Sequence, residues 1–233
     1  MEKAVAVFDL EGTIFKRSNY FMREIRDSRK RGIISGLKFA IFNLSLMMIF
    51  IGYKIGIVNE LAIRTDTIKW FTAYLKGTSE KDIAYRARVF ASEYMDVLRP
   101  EISKVLQDHK AKGHITILIS GMLQPYVEAI KQELGMDIAI GTGREIKDGY
   151  YTGRLASILC LGEERAHALS ELVNNLDDRI NLDESFAYGD AIFDRYYMDM
   201  VGNPVVVYPD KRLAEYAKEH GWKVIIDNAY IGE

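Results

Sequence analysis

The sequence predicts an α/β protein: a mostly parallel, Rossmann-like sheet with an all-helical cap domain inserted after its first strand. Three observations predict it. The apolar runs Ala4-Val5-Ala6-Val7-Phe8, Ile115-Thr116-Ile117-Leu118-Ile119 and Ser185-Phe186-Ala187-Tyr188 lead into Asp9, Ser120 and Gly189-Asp190. Buried parallel strands read this way, and open α/β sheets bind their ligands at the carboxyl ends of such strands. Beyond residue 98 strand and helix patterns alternate, whereas 17–97 reads as helical throughout, so the core is expected from 1–16 and 98–233 and the cap from 17–97.

Within the insert, Gly32, Gly36, Gly56 and Gly77 are the expected breaks. Thr78-Ser79 caps a helix whose Ile83, Ala87, Phe90, Ala91 and Tyr94 recur on a 3.6 period, which marks one buried face. After it come a helix near 101–112 ending at Gly113, the strand 115–119, a helix over 124–134 ending at Gly135, and a short strand over 137–140. Asp148-Gly149 suits the positive φ of a hairpin turn. Helices over 163–174, 192–200 and 210–220 and strands over 185–189, 204–208 and 223–226 complete the set.

With 33 acidic and 31 basic residues the net charge is −2, which gives no reason to expect a nucleic-acid partner. The single cysteine, Cys160, excludes an internal disulfide and fits a reducing compartment as a small buried hydrophobe. Glu2 and Lys3 charge the short lead-in to Asp9, so no signal peptide is expected and the cytoplasm is the expected location. Residues 39–53 carry no charge and are nearly all apolar, yet about 15 helical residues cover only about 22 Å. A span here would also part Asp9 from Ser120, Arg165 and Asp190. Two placements stay open: burial in the cap bundle or in a homodimer interface, or peripheral contact with a membrane surface, with Lys38 and Lys54 reaching the headgroups.

Asp9-Leu10-Glu11-Gly12-Thr13, Ser120-Gly121, Arg165 and Gly189-Asp190 with Asp194 follow one another in an order that resembles the haloacid dehalogenase (HAD) superfamily, in its phosphoserine phosphatase-like branch with a helical cap (subfamily IB, C1 cap). That family's pattern is Asp-x-Asp-x-Thr, a Ser or Thr after a strand, a Lys, and Gly-Asp-x-x-x-Asp. Asp148 to Gly153, Leu161 to Arg165 and Asn203 to Trp222 extend the likeness over nearly the whole chain. Two positions depart: Glu11 stands where a second Asp is usual, and Arg165 where a Lys is usual.

The resemblance implies a phosphatase that works through an aspartyl-phosphate on Asp9 with Mg²⁺ as cofactor and a small phosphomonoester as substrate partner. It implies a metal site of Asp9, Asp190 and the main-chain oxygen of Glu11, with Asp194 orienting waters behind them, which suits an ion that takes oxygen ligands and keeps several waters. Capping of a helix is the plainer role for Asp190 and Asp194, but it leaves Asp9 unexplained. Leu10, Ser120 and Gly121 would hydrogen-bond the phosphate, and Thr13 would help by bonding near Asp9 to fix the turn of the motif, or serve only as a turn residue. Glu11 would be the general acid and base, its carboxyl about 1.5 Å further out than that of an Asp. Some phosphoserine phosphatases and homoserine phosphotransferases of the superfamily share Asp-Leu-Glu-Gly. Arg165 would neutralise Asp9 and the phosphoryl group, or be a solvated helix charge.

Phosphoserine phosphatases place an acid shortly after the first motif. This chain has Phe15-Lys16-Arg17-Ser18-Asn19-Tyr20 there, which argues against phosphoserine and leaves Lys16, Arg17 and Arg64 to attract an anionic substrate. The four histidines show no metal-ligand spacing. Three further readings stay open: a phosphotransferase using the same intermediate, a lipid-like substrate if the 39–53 helix is exposed, and a catalytically weak binding or regulatory protein on account of Glu11 and Arg165.

Overall fold

The computed structural model describes residues 2–17, 26, 30, 36–156, 159–176, 179–226 and 229–231. It divides into two compact units, one of Met1–Arg17, Asp82–Thr142 and Cys160–Glu233, the other of Ser18–Lys81 with Gly143–Leu159.

The first unit holds a seven-stranded sheet in the order β3 (Ile138–Thr142), β2 (Ile115–Leu123), β1 (Val5–Asp9), β6 (Phe186–Gly189), β7 (Asn203–Val207), β8 (Lys223–Ile226) and β9 (Ala229–Ile231). All pairings are parallel except β8 with β9. The fold is therefore the mostly parallel α/β sheet expected. Register aligns Asp9 with Ile119 and Phe8 with Tyr188, so Asp9, Ser120 and Asp190 leave three neighbouring strands at one level. The chain builds outward from β1 to β3 and then returns to β6 on the other side, which makes the end of β1 the switch point where such sheets bind ligands.

Val5, Val7, Ile117, Ile119, Ala187 and Val206 point to one face. They pack on Leu169 of α6 (Glu163–Asn174), Tyr197 and Met198 of α7 (Arg195–Met198), and Leu213 and Ala217 of α8 (Lys211–His220). On the opposite face Phe8 stacks on Tyr188 at 4.5 Å. His109, from α4 (Pro100–Ala111), meets the Tyr188 hydroxyl at 2.8 Å, and burial first, then His114 and Lys112, push its pKa down to about 4. That histidine is a packing residue. Cys160 is buried, and burial pushes its thiol up to about 11.

Several expectations shift. The strand expected over 115–119 runs on to Leu123 through Ser120-Gly121, with a break in register to β3 between Ile119 and Leu123; a Ser-Gly pair that reads as a turn is accommodated as a bulge. The helix expected over 192–200 is a 3₁₀ turn, Ile192–Asp194, followed by the four-residue α7. Strand β9 was not anticipated. Helix α3 (Glu80–Tyr94), expected in the cap, groups with the sheet from Asp82 onward, because Phe90 packs on Tyr126 at 5.6 Å and Tyr94 on Phe15 at 4.7 Å. Tyr126 belongs to α5 (Gln124–Leu134).

The second unit carries α1 (Gly36–Lys54), α2 (Glu60–Tyr74) and the hairpin of β4 (Arg144–Lys147) and β5 (Tyr150–Leu155). The hairpin turns at Asp148 and Gly149, both at positive φ. Asn59 caps α2 by accepting from the Ala62 amide at 2.8 Å. Phe42 of α1 is buried and meets Tyr74 at 5.6 Å. The rest of α1 is unusual, since Leu37, Ile41, Leu44, Met47, Met48, Phe50 and Ile51 are all exposed. Among the described residues no helix is long and apolar enough to cross a membrane.

Candidate active site

Asp9, Asp190 and Asp194 are all buried, and each offers a carboxylate oxygen within 4.8 Å of the others. Strand geometry brings them together: β1 delivers Asp9, β6 delivers Asp190, and the 3₁₀ turn that follows folds Asp194 back beneath them. Asp194 accepts from the amides of Asp190 at 3.0 Å and Ala191 at 2.9 Å, so it both caps that turn and fixes the approach of Asp190. Gly189 lets this happen, since a side chain there would sit 2.6 Å from the Asp194 Cβ.

Arg165 is buried at the amino end of α6 and bridges two of the acids. Its Nη1 lies 2.9 Å from Asp9 Oδ1 and 2.5 Å from Asp194 Oδ1, while Nε donates to the Cys160 carbonyl at 3.3 Å. Burial opposes its charge, but Asp9 and Asp194 outweigh burial and hold the guanidinium charged, above its ordinary value. A solvated helix charge would be neither buried nor paired in this way. Burial likewise pushes the Asp9 carboxyl well above the carboxylate range, with Arg165 pulling it back and Asp194 and Asp190 adding to the rise. Asp190 is raised to about 7 by burial and then by Asp194, against the pull of Arg17.

Arg17 is the residue that sequence reasoning gave only a loose role. Its Nε and Nη2 donate to Asp190 Oδ2 at 2.8 and 2.5 Å, although its side chain is 59% exposed. Arg17 therefore belongs to the acid cluster. No periodicity or strand end marks it, so the sequence held no signal for this contact. Ser18, Asn19 and Tyr20 lie outside the described residues.

The turn after Asp9 is held by its backbone: the Phe15 amide donates to the Leu10 carbonyl at 3.1 Å and the Gly12 amide to the Phe15 carbonyl at 2.8 Å. Gly12 has φ +94°, and any Cβ there would overlap the Asp190 carboxyl. Only glycine fits both the dihedral and the space. The Leu10 amide bonds the Asp9 carboxylate and helps keep it ionised. Ser120 is buried, with Oγ accepting from the Met122 amide at 3.2 Å, and the Gly121 carbonyl accepts from Thr142 Oγ1 at 2.8 Å. Thr13 is fully buried with no partner for Oγ1, so the hydrogen bond expected near Asp9 is not formed. Glu11 is half-buried, and its Oε1 accepts from the Tyr94 hydroxyl at 2.5 Å.

Three buried carboxylates offset by two guanidiniums, two of them raised by burial and mutual repulsion, leave a site short of positive charge. Its donors are all oxygen, which fits a hard divalent cation better than a soft one.

A mostly parallel α/β sheet with such an acid cluster at its switch point defines the class: an α/β protein whose ligand crevice is lined by carboxylates. The chain belongs to the haloacid dehalogenase-like hydrolase family, whose model matches residues 6–199. Phosphoserine phosphatase SerB1 of Mycobacterium tuberculosis is 29% identical over 153 residues, 65% of this chain and 49% of that protein. The chain thus spans about half the length of the mycobacterial relatives of this kind. Histidinol-phosphatase of Neisseria meningitidis is 25% identical over 232 residues, covering 96% of this chain and 98% of that one. Among solved structures, a Bordetella pertussis Tohama I protein of unknown function superposes with a TM-score of 0.81 at 21% identity, over 97% and 99% of the two chains. A substrate-bound phosphoserine phosphatase gives 0.60 at 18% identity, over 92% and 90%. At these identities the structural likenesses speak for the fold alone.

Proposed function

We propose that this protein is a Mg²⁺-dependent phosphomonoester hydrolase acting through an aspartyl-phosphate on Asp9. The single observation that carries the reading is the buried set of Asp9, Asp190, Asp194 and Arg165 at one strand end. Asp9, Asp190 and the main-chain oxygen of Glu11 would hold the cation, which when bound neutralises phosphate oxygens and favours the ionised form of Asp9. Asp9 Oδ attacks phosphorus as the bond to the leaving oxygen breaks, and Glu11 gives that oxygen its proton. Water then attacks the Asp9-bound phosphorus as Glu11 takes its proton, the bond from phosphorus to Asp9 Oδ breaks, and the free carboxylate and phosphate result. Arg165 stabilises the charge that moves between Asp9 and the phosphoryl group, and Ser120, Gly121 and the Leu10 amide hold its oxygens.

The names of the relatives bring phosphoserine and histidinol phosphate forward as substrates to try, and a transfer of the phosphoryl group to a second hydroxyl would use the same intermediate. A specific observation favours a second reading, a phosphomonoester with an apolar tail met at a lipid surface: the outer face of α1 is apolar and exposed. On either reading we place the protein in the cytoplasm, where Cys160 stays reduced. The test is phosphate release from phosphoserine, histidinol phosphate, p-nitrophenyl phosphate and lysophosphatidate, with Mg²⁺ and with EDTA, against Asp9→Asn. Turnover that needs both the ion and Asp9 supports the reading. Activity that survives in Asp9→Asn would sink it.

A further inference from the structure

We infer that Tyr94 is the positioning residue for Glu11, and that it lets a glutamate work where the shorter aspartate is usual. The inference rests on the proposed hydrolase reading, in which Glu11 handles the leaving-group proton. A carboxyl set one methylene further out gains a rotatable bond, and misplacement on the order of 1 Å can cost about 10²-fold in rate. Something must therefore fix it. The Tyr94 hydroxyl donates to Glu11 Oε1 at 2.5 Å, and a hydrogen bond to one oxygen sets the carboxyl plane and with it the direction of the other oxygen.

Tyr94 is itself held from every side. It is 2% exposed and lies between Phe15 at 4.7 Å and Phe90 at 4.6 Å, ring centroid to centroid. The segment it begins is stapled to the loop that carries Glu11: the Lys16 amide donates to the Val97 carbonyl at 3.0 Å, the Arg99 amide to the Ile14 carbonyl at 2.9 Å, and Phe15 pairs with Leu98. Backbone bonds thus fix the spacing between the end of α3 and the loop 11–16, so the phenol oxygen is presented to Glu11 by a rigid frame. A tyrosine buried only for packing would present its hydroxyl to whatever carbonyl lay near. Here it meets the one carboxylate of the first motif that the mechanism asks to move a proton.

The test is the leaving-group dependence of Tyr94→Phe. An alkyl phosphate needs a proton on its departing oxygen, whereas p-nitrophenolate leaves without one. Tyr94→Phe should slow the phosphorylation of Asp9 by the alkyl phosphate, read in a single-turnover quench, by about tenfold or more, with the phosphorylation rate from p-nitrophenyl phosphate within about twofold of wild type. The aryl substrate also reports that the variant is folded. In a Glu11→Gln background Tyr94→Phe should add no further loss, because the proton donor is already gone. Equal losses in the phosphorylation step on both substrates, or a loss in that step that persists in Glu11→Gln, would overturn the inference and leave Tyr94 a packing residue. Absence of Asp9-dependent turnover by the wild type on either substrate would instead contradict the hydrolase reading, and the role of Tyr94 with it.

Discussion

Arg17 is where charge balance can be read from single side chains. Its guanidinium already occupies Asp190 Oδ2, and on the proposed reading it would compete with the cation for that carboxylate. Arg17→Gln should therefore bind Mg²⁺ more tightly, by roughly five- to tenfold at low salt, since the Asp190 end of the pair is buried while the arginine end is not. Calorimetric titration decides it: an affinity that is unchanged or weaker means Arg17 does not stand in the cation's way. At this scale the convergence of Asp9, Ser120 and Asp190 was legible because each lies at the end of an apolar run, that of Asp194 because it follows Asp190 by four positions, and that of Arg165 from its place in the order of motifs between Ser120 and Asp190. The contacts of Arg17 and Tyr94 were not. Each joins residues more than 80 positions apart or lies on a loop without period, and no pattern in one sequence encodes such a pair.

Among the elements, α1 and β2 depart furthest from ordinary reading. The exposed residues Leu37, Ile41, Leu44, Met48, Ile51 and Ile55 alternate spacings of four and three, so they lie along one ridge of the helix and its end. Lys54, with Nζ 5.4 Å from the Phe50 ring, closes that end with positive charge. Covering each such side chain is worth about 1.5–3 kcal/mol when complete, and on the lipid-surface reading this ridge is what would enter the headgroup region. Leu44→Glu with Met48→Glu should abolish flotation with anionic vesicles while leaving p-nitrophenyl phosphate turnover as it was. A wild-type protein that ignores vesicles and sediments as a dimer would assign the ridge to a second copy instead. The sequence revealed that this helix is apolar all round, but exposure depends on which neighbours pack on it. Strand β2 illustrates the same limit, since it continues past Ser120-Gly121, a dipeptide with turn chemistry, with only a break in its register to β3.

For the whole molecule, alternation of strands and helices after residue 98 was enough for a mostly parallel sheet, whereas the strand order, and with it the switch point at β1, came only with the structure. The boundary between the two units was less legible. Helix α3 follows the insert in sequence but joins the sheet through Phe90 and Tyr94, and the hairpin of β4 and β5 lies within the later core sequence yet packs on α2. Gly153 on β5 shows why: the missing side chain admits α2 and the residue beyond it, with Ala73 Cα 3.5 Å and Lys76 Cβ 3.1 Å from where a Cβ would stand. Such closeness is visible only once both elements are placed.

The proposed mechanism requires a covalent phosphoryl group on Asp9. It is tested most directly by acid-quenching the enzyme during turnover with Mg²⁺ and weighing its peptides. The peptide containing Asp9 should gain the mass of one phosphoryl group during turnover, and that of Asp9→Asn should gain none. Substrate turnover with no phosphorylated peptide, or with the group on another residue, would contradict it.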